Sequence, residues 1–207
     1  MSHSSALNPP QVEHDVAAIA EALAGPGACL IAGFPAPPLA AALREDLQRL
    51  QAEGALHTAG IGRADGHRQR GDLRGDRTLW LDDERCGAAA RTYLGQLDAL
   101  RLGLNRALFL GLRETEAHYA LYAPGARYMR HRDRFRDSDA RVVTVVGYLN
   151  PDWRVADGGE LRLYDDDGRH RDIPPHDATS LCFLSEREHE VLVTHRPRMS
   201  IAAWLRR

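Results

Sequence analysis

The chain has 207 residues, 43% of them hydrophobic, with 27 Lys plus Arg set against 29 Asp plus Glu. This is the balance of a globular chain with no global pull toward nucleic acid or membrane. All 27 cations are arginine, which excludes a Schiff-base lysine, a pyridoxal-phosphate anchor and a P-loop lysine.

The polar start, residues 1–11, reads as a loose tail without the apolar core of a signal peptide. No apolar run approaches the roughly 18 residues of a membrane span, and a cytoplasmic location is the expectation. Val12, Val16, Ile19 and Leu23 recur at helical spacing and predict a helix over 12–24, stopped by Gly25-Pro26-Gly27. Residues 28–34 predict a short buried strand, and 37–51 a second helix with Leu39, Leu43, Leu47 and Leu50 on one face. The stretch 54–77, rich in Gly, Arg, His and Asp, reads as a long functional loop. Residues 78–81 suggest a strand, and 84–112 a helix with a break near Gly103.

From Ala117 the apolar period changes from 3.6 to 2. Strands are expected near 117–123, 127–132, 141–149, 159–164, 170–173, 178–184, 189–195 and 198–205, separated by Gly, Pro, Asn and Asp turns. Helical support over 12–112 and eight short strands over 117–207 indicate a single α+β domain. Its core is a double-stranded β-helix, or jelly roll, buttressed by the N-terminal helices.

In His131-Arg132-Asp133 the first and third residues would share one face of a strand, projecting an imidazole and a carboxylate together. A further histidine would complete a two-His-one-carboxylate facial triad, the ligand set of non-haem iron(II) oxygenases. The pattern H-x-D also occurs at His170-Arg171-Asp172, so context decides. His189 stands 56 residues after Asp133 at the head of one apolar strand, and Arg198, nine residues on, heads the next. After Asp172 the candidates are His189 and His195, 17 and 23 residues on, too close to run over a barrel and back. The three cysteines, Cys29, Cys86 and Cys182, form no C-x-x-C, which argues against a disulfide framework or a thiolate zinc site.

These residues resemble the ligand set of the 2-oxoglutarate- and iron(II)-dependent oxygenases. The likeness is closest to the prolyl 4-hydroxylase branch, which includes the hypoxia-inducible-factor prolyl hydroxylases and the bacterial hydroxylases of elongation factor Tu. Tyr122-Ala123-Pro124-Gly125, Tyr128-Met129-Arg130-His131, Arg141 through Trp153, Gly158 through Arg162 and Arg74-Gly75-Asp76 also look like family segments. The resemblance covers roughly residues 12–207. It implies iron(II) bound by His131, Asp133 and His189, and a salt bridge from Arg198 to the distal carboxylate of 2-oxoglutarate, assisted by Tyr148 and Tyr122. It implies that Val146, Leu161 and Val191 wall the cosubstrate, and that Arg74, Asp76, Tyr128, Arg141 and Trp204 lie toward the substrate. The implied reaction consumes dioxygen, releases succinate and carbon dioxide, and hydroxylates a prolyl residue of a protein such as elongation factor Tu, with ascorbate as a reductant.

Two other readings stay open from the residues: a sibling oxygenase acting on a free amino acid or small molecule, and a non-catalytic jelly-roll module. Six arginines between Arg127 and Arg141, with more in the 54–77 stretch, predict a basic mouth that steers anions. Arg74, Asp76 and Arg141 are alternatively expected to pair with one another. The segments 60–76 and 134–140 differ from the animal hydroxylases and are expected to grip a protein substrate.

Overall fold

A computed structural model describes residues 9–59, 74–134 and 140–207. Most of the expected tail (1–8) and most of the two expected gripping segments (60–73 and 135–139) lie outside the described residues. The elements run β1 (Gln11–Val12), α1 (Val16–Ala24), β2 (Ala28–Ala32), α2 (Pro37–Ala52), β3 (His57–Thr58), β4 (Asp76–Trp80), α3 (Ala88–Leu108), β5 (Glu114–Tyr122) and β6 (Tyr128–His131). They continue with β7 (Arg141–Tyr148), β8 (Leu161–Tyr164), β9 (His170–Ile173), β10 (Thr179–Leu184), β11 (His189–Val191) and β12 (Arg198–Arg206). One sheet has the order β1-β2-β10-β7-β12-β5-β4-β3, the other β6-β11-β8-β9. A bridge from Arg74 to Tyr128 and a hydrogen bond from the Gly75 N–H to the Arg127 carbonyl (3.0 Å) tie the two sheets together beside β4 and β6. The approach there is close: a Cβ on Gly75 would lie 3.1 Å from that of Ala126.

Alternation along the central strands divides the large sheet into two unlike faces. Ala117, Tyr119 and Leu121 of β5, Val143 and Val145 of β7, and Ile201, Ala203 and Leu205 of β12 join the main core with the three helices. Their neighbours His118, Ala120 and Tyr122, Thr144 and Val146, and Arg198, Ser200, Ala202 and Trp204 line a cavity inside the barrel. The helices therefore stiffen the sheet from behind, and its other face opens into the barrel.

Several boundaries differ from the sequence reading. Val12 belongs to a two-residue strand beside β2, and α1 starts at Val16 because Asp15 caps it, accepting from the Ala17 and Ala18 N–H groups. The 54–77 stretch contains β3, which pairs with β4. The third helix starts at Ala88 and ends on Phe109 in the left-handed region, and it runs through Gly103 unbroken. Gly103 is a contact point, since a Cβ there would lie 2.7 Å from Val16 Cγ1. Gly95, on the same helix, faces open space. Gly95→Ala is therefore expected to stabilise the protein by about 1 kcal/mol through helix propensity. Gly103→Ala gains no such increment because α1 must shift. Paired thermal melts check this.

Candidate active site

Three ligand atoms meet inside the barrel. His131 closes β6, His189 opens β11, and the two are register partners across the small sheet. Asp133 lies past the end of β6, in a bend. The expected strand alternation of His131 and Asp133 is thus not what joins them. The chain turns after His131, held by the Arg134 N–H on the Ser185 carbonyl (3.0 Å), and this turn swings the carboxylate inward. His131 Nε2 stands 3.6 Å from one Asp133 oxygen, and His189 Nε2 stands 3.5 Å from the other. All three ligand atoms lie within 4.8 Å of one another.

Hydrogen bonds fix which ring nitrogen of each histidine faces the centre. His131 Nδ1 meets the Met129 carbonyl at 2.8 Å, and His189 Nδ1 meets the Arg187 carbonyl at 3.1 Å. A carbonyl only accepts, so each Nδ1 carries a proton and each Nε2 is turned to the centre, the arrangement of a metal-bound imidazole. Burial and the neighbouring His131 push His189 down to about 4, against the pull of Asp133. Burial alone would raise the Asp133 carboxyl. The two imidazoles and the Trp204 indole outweigh it and hold the group well below the usual carboxylate range. Thr144 Oγ1 donates to Asp133 at 2.9 Å and is itself 2.9 Å from Ser185 Oγ. Tyr128 stacks on His131, with ring centres 3.7 Å apart, and Phe183 sits edge-on to His189. Two imidazole nitrogens and one carboxylate, aimed at one point, fit a divalent iron ion.

Along the same cavity lies a buried cation. Arg198 is 1% exposed. Its Nε donates to the Gly159 carbonyl (2.8 Å) and one terminal nitrogen donates to Ser200 Oγ (3.0 Å), while the other terminal nitrogen has no partner. Among the described residues no carboxylate pairs with it. The buried Tyr148 hydroxyl also lacks a partner, and its ring centre is 5.4 Å from the guanidinium carbon. Burial pushes the Tyr148 hydroxyl up to about 12, so it stays a donor. Tyr122 flanks the guanidinium from another side, its ring centre 5.2 Å away. Gly159 has φ +68°, and a Cβ there would lie 3.1 Å from the Arg198 side chain. A buried arginine without a counter-ion is costly unless an anion joins it, and these donors fit a carboxylate. Val146, Leu161 and Val191 line the wall in between.

The residues expected toward the substrate separate into two groups. Arg74 pairs with both oxygens of Asp76 (2.6 and 2.9 Å), lies over the Tyr128 ring and lines the cavity. Arg141 does not join them. It donates to Glu116 at 2.8 Å and its guanidinium covers the Trp204 ring at 3.6 Å. Among the described residues of the expected basic mouth, Arg130 and Arg132 face Glu188, Arg134 faces Glu186, and Arg141 faces Glu116. The second H-x-D is structural in position, with Asp172 held bidentate by Arg162 on the β8–β9 edge. Thr144, Ser185, Ser200 and His118 were not singled out by the sequence reading. For three of them the signal was available, since Thr144, Ser200 and His118 occupy the same alternation as Val146, Arg198 and Tyr122.

Residues 117–206 match the 2OG-Fe(II) oxygenase superfamily. The chain is similar to a crystallised prolyl-4-hydroxylase from Pseudomonas putida, with 42% identity, 93% of this chain and 98% of that chain covered, and a TM-score of 0.84. It is also similar to a Trichoplax adhaerens prolyl hydroxylase solved with a hypoxia inducible factor oxygen degradation domain peptide fragment. That likeness has 28% identity, coverage of 91% and 87%, and a TM-score of 0.79. The hypoxia-inducible factor prolyl hydroxylase of Caenorhabditis elegans is 33% identical over 144 residues, 64% of this chain, and the chain spans 20% of that protein's length. Covering the Pseudomonas putida enzyme almost end to end, and carrying a converging His-Asp-His cluster and a buried arginine in one barrel, the chain belongs to the 2OG-Fe(II) oxygenase superfamily.

Proposed function

We propose that this chain is an iron(II)- and 2-oxoglutarate-dependent dioxygenase that hydroxylates a prolyl residue of a protein, elongation factor Tu or a close counterpart. The observation that carries the reading is the unpaired Arg198 guanidinium and Tyr148 hydroxyl, buried in the same barrel as three converging ligand atoms. The Trichoplax adhaerens relative, bound to a peptide fragment, supports a polypeptide substrate.

Iron(II) and 2-oxoglutarate, when bound, supply the activation of dioxygen, with one oxygen atom going to the substrate and the other to succinate as carbon dioxide leaves. The protein's own part is positional. His131, Asp133 and His189 would hold the metal on one face and leave its other face open. Thr144 fixes the Asp133 carboxylate, and the Nδ1–H bonds of the two histidines fix their rings. Arg198 and Tyr148 would take the distal carboxylate, while Val146, Leu161 and Val191 keep water from the cosubstrate. Incubating the iron-loaded protein with 2-oxoglutarate and recombinant elongation factor Tu is expected to yield succinate and a prolyl residue one oxygen heavier by mass spectrometry. Succinate formation without any oxygen gain in elongation factor Tu or in whole-cell lysate proteins would overturn the substrate assignment.

A further inference from the structure

We propose that His118 is a positioning residue for the protein substrate: its Nε2 holds the Arg74 guanidinium at the mouth of the cavity, so that Arg74 meets the incoming chain in one orientation. This rests on the reading of the chain as a hydroxylase of a protein.

His118 sits on the cavity face of β5 and is 4% exposed. Its Nδ1 lies 3.0 Å from the Tyr119 carbonyl, and its Nε2 lies 3.2 Å from a terminal nitrogen of Arg74. A carbonyl accepts and a guanidinium donates, so the ring must be the neutral Nδ1–H tautomer with the Nε2 lone pair on Arg74. Burial and the charges of Arg74 and Arg141 favour the same neutral form, holding the imidazole down to about 4 against the pull of Asp76. The ring cannot swing away, because Trp80 meets it edge-on at 5.3 Å and Trp204 lies 5.2 Å away on a tilted plane.

Asp76 alone does not settle the direction of Arg74. The bidentate pair sets the plane of the guanidinium, and His118 supplies the third point of attachment. Asp76 spends both oxygens on Arg74 and its side chain is 0% exposed, so it has nothing left for a substrate. Arg74 retains 14% exposure and lies over Tyr128, which stacks on the ligand His131. The group that faces the incoming chain is thus the arginine, suited to a peptide carbonyl or an acidic side chain. Trp80, 46% exposed beside His118, extends the same rim with an aromatic surface.

The test compares His118→Met, which keeps bulk and removes the acceptor, with His118→Gln, whose amide oxygen can still accept. Recombinant elongation factor Tu serves as the probe. His118→Met is expected to raise KM for elongation factor Tu about tenfold with kcat and KM for 2-oxoglutarate within twofold, and His118→Gln to recover most of the loss. In an Arg74→Gln background His118→Met should add nothing, because the histidine acts through that arginine. Nitrogen-15 NMR of the unvaried protein should report the Nδ1–H tautomer at His118. Should His118→Met melt early, His118→Asn, too short to reach Arg74, replaces it. An unchanged KM, equal losses in the Gln and Met variants, additivity with Arg74→Gln, or an Nε2–H tautomer would each overturn the proposal. A wild-type protein silent on elongation factor Tu overturns the substrate reading instead, and the tautomer then decides for or against His118.

Discussion

Arg198→Met is expected to weaken 2-oxoglutarate binding by roughly a hundredfold or more, about 3 kcal/mol, while the metal- and ligand-free protein melts no earlier than wild type. The two halves of this prediction have one cause. In the free protein Arg198 is a cation almost out of reach of water, held by the Gly159 carbonyl and Ser200 Oγ but by no carboxylate among the described residues. A buried charge in that condition contributes little to folding, and replacing it by an apolar side chain of similar volume is often neutral or stabilising. The same charge facing a ligand carboxylate makes a charge-assisted pair, and removing one partner of such a pair typically costs 2–5 kcal/mol. Isothermal titration with manganese(II) in place of iron measures the first effect, and thermal melts without ligand measure the second. If the variant unfolded early and bound 2-oxoglutarate normally, Arg198 would be a structural residue.

Asp133→Ala is expected to abolish stable metal binding, and with it succinate formation, by a factor of about a thousand or more. The carboxylate is the anionic member of the cluster, and the two imidazoles without it keep neither the charge nor the geometry of a facial site. A graded control comes from Thr144→Val, which leaves all three ligands in place and removes the hydroxyl donating to Asp133 at 2.9 Å. Loss of such a supporting bond costs about 10–100-fold in metal affinity. Iron affinity should therefore fall in the order wild type, Thr144→Val, Asp133→Ala, measured by competition with a chelator. Equal affinities for wild type and Thr144→Val would show that the carboxylate is held without the Thr144 hydroxyl.

The ligands were legible in the sequence because their constraint is local and chemical. His189 and Arg198 head β11 and β12, and His131 and Asp133 form a short H-x-D pattern at and just beyond the end of β6. The reason offered for the first pair was nevertheless wrong in detail: a turn beyond β6, and not strand alternation, brings Asp133 to His131. Short β-bridged pieces such as β1 and β3 were invisible, since two residues carry no period. Gly103 read as a helix breaker because composition cannot show that Val16 needs the space. The carboxylates that meet the described arginines of the mouth were not legible either, since Glu116, Glu186 and Glu188 lie far from Arg141, Arg134 and Arg130 in sequence.

Through the middle of β5, β7 and β12, residues alternate between the helix-backed core and the cavity. Inserting or deleting a single residue in any of these strands would exchange the two, sending Leu121 or Ile201 into the barrel and Tyr122 or Ser200 into the core. Such a strand has a fixed reading frame. Its length cannot drift, and a lineage carrying it can explore new substrates only by substitution at alternate positions or by length changes in the connecting turns.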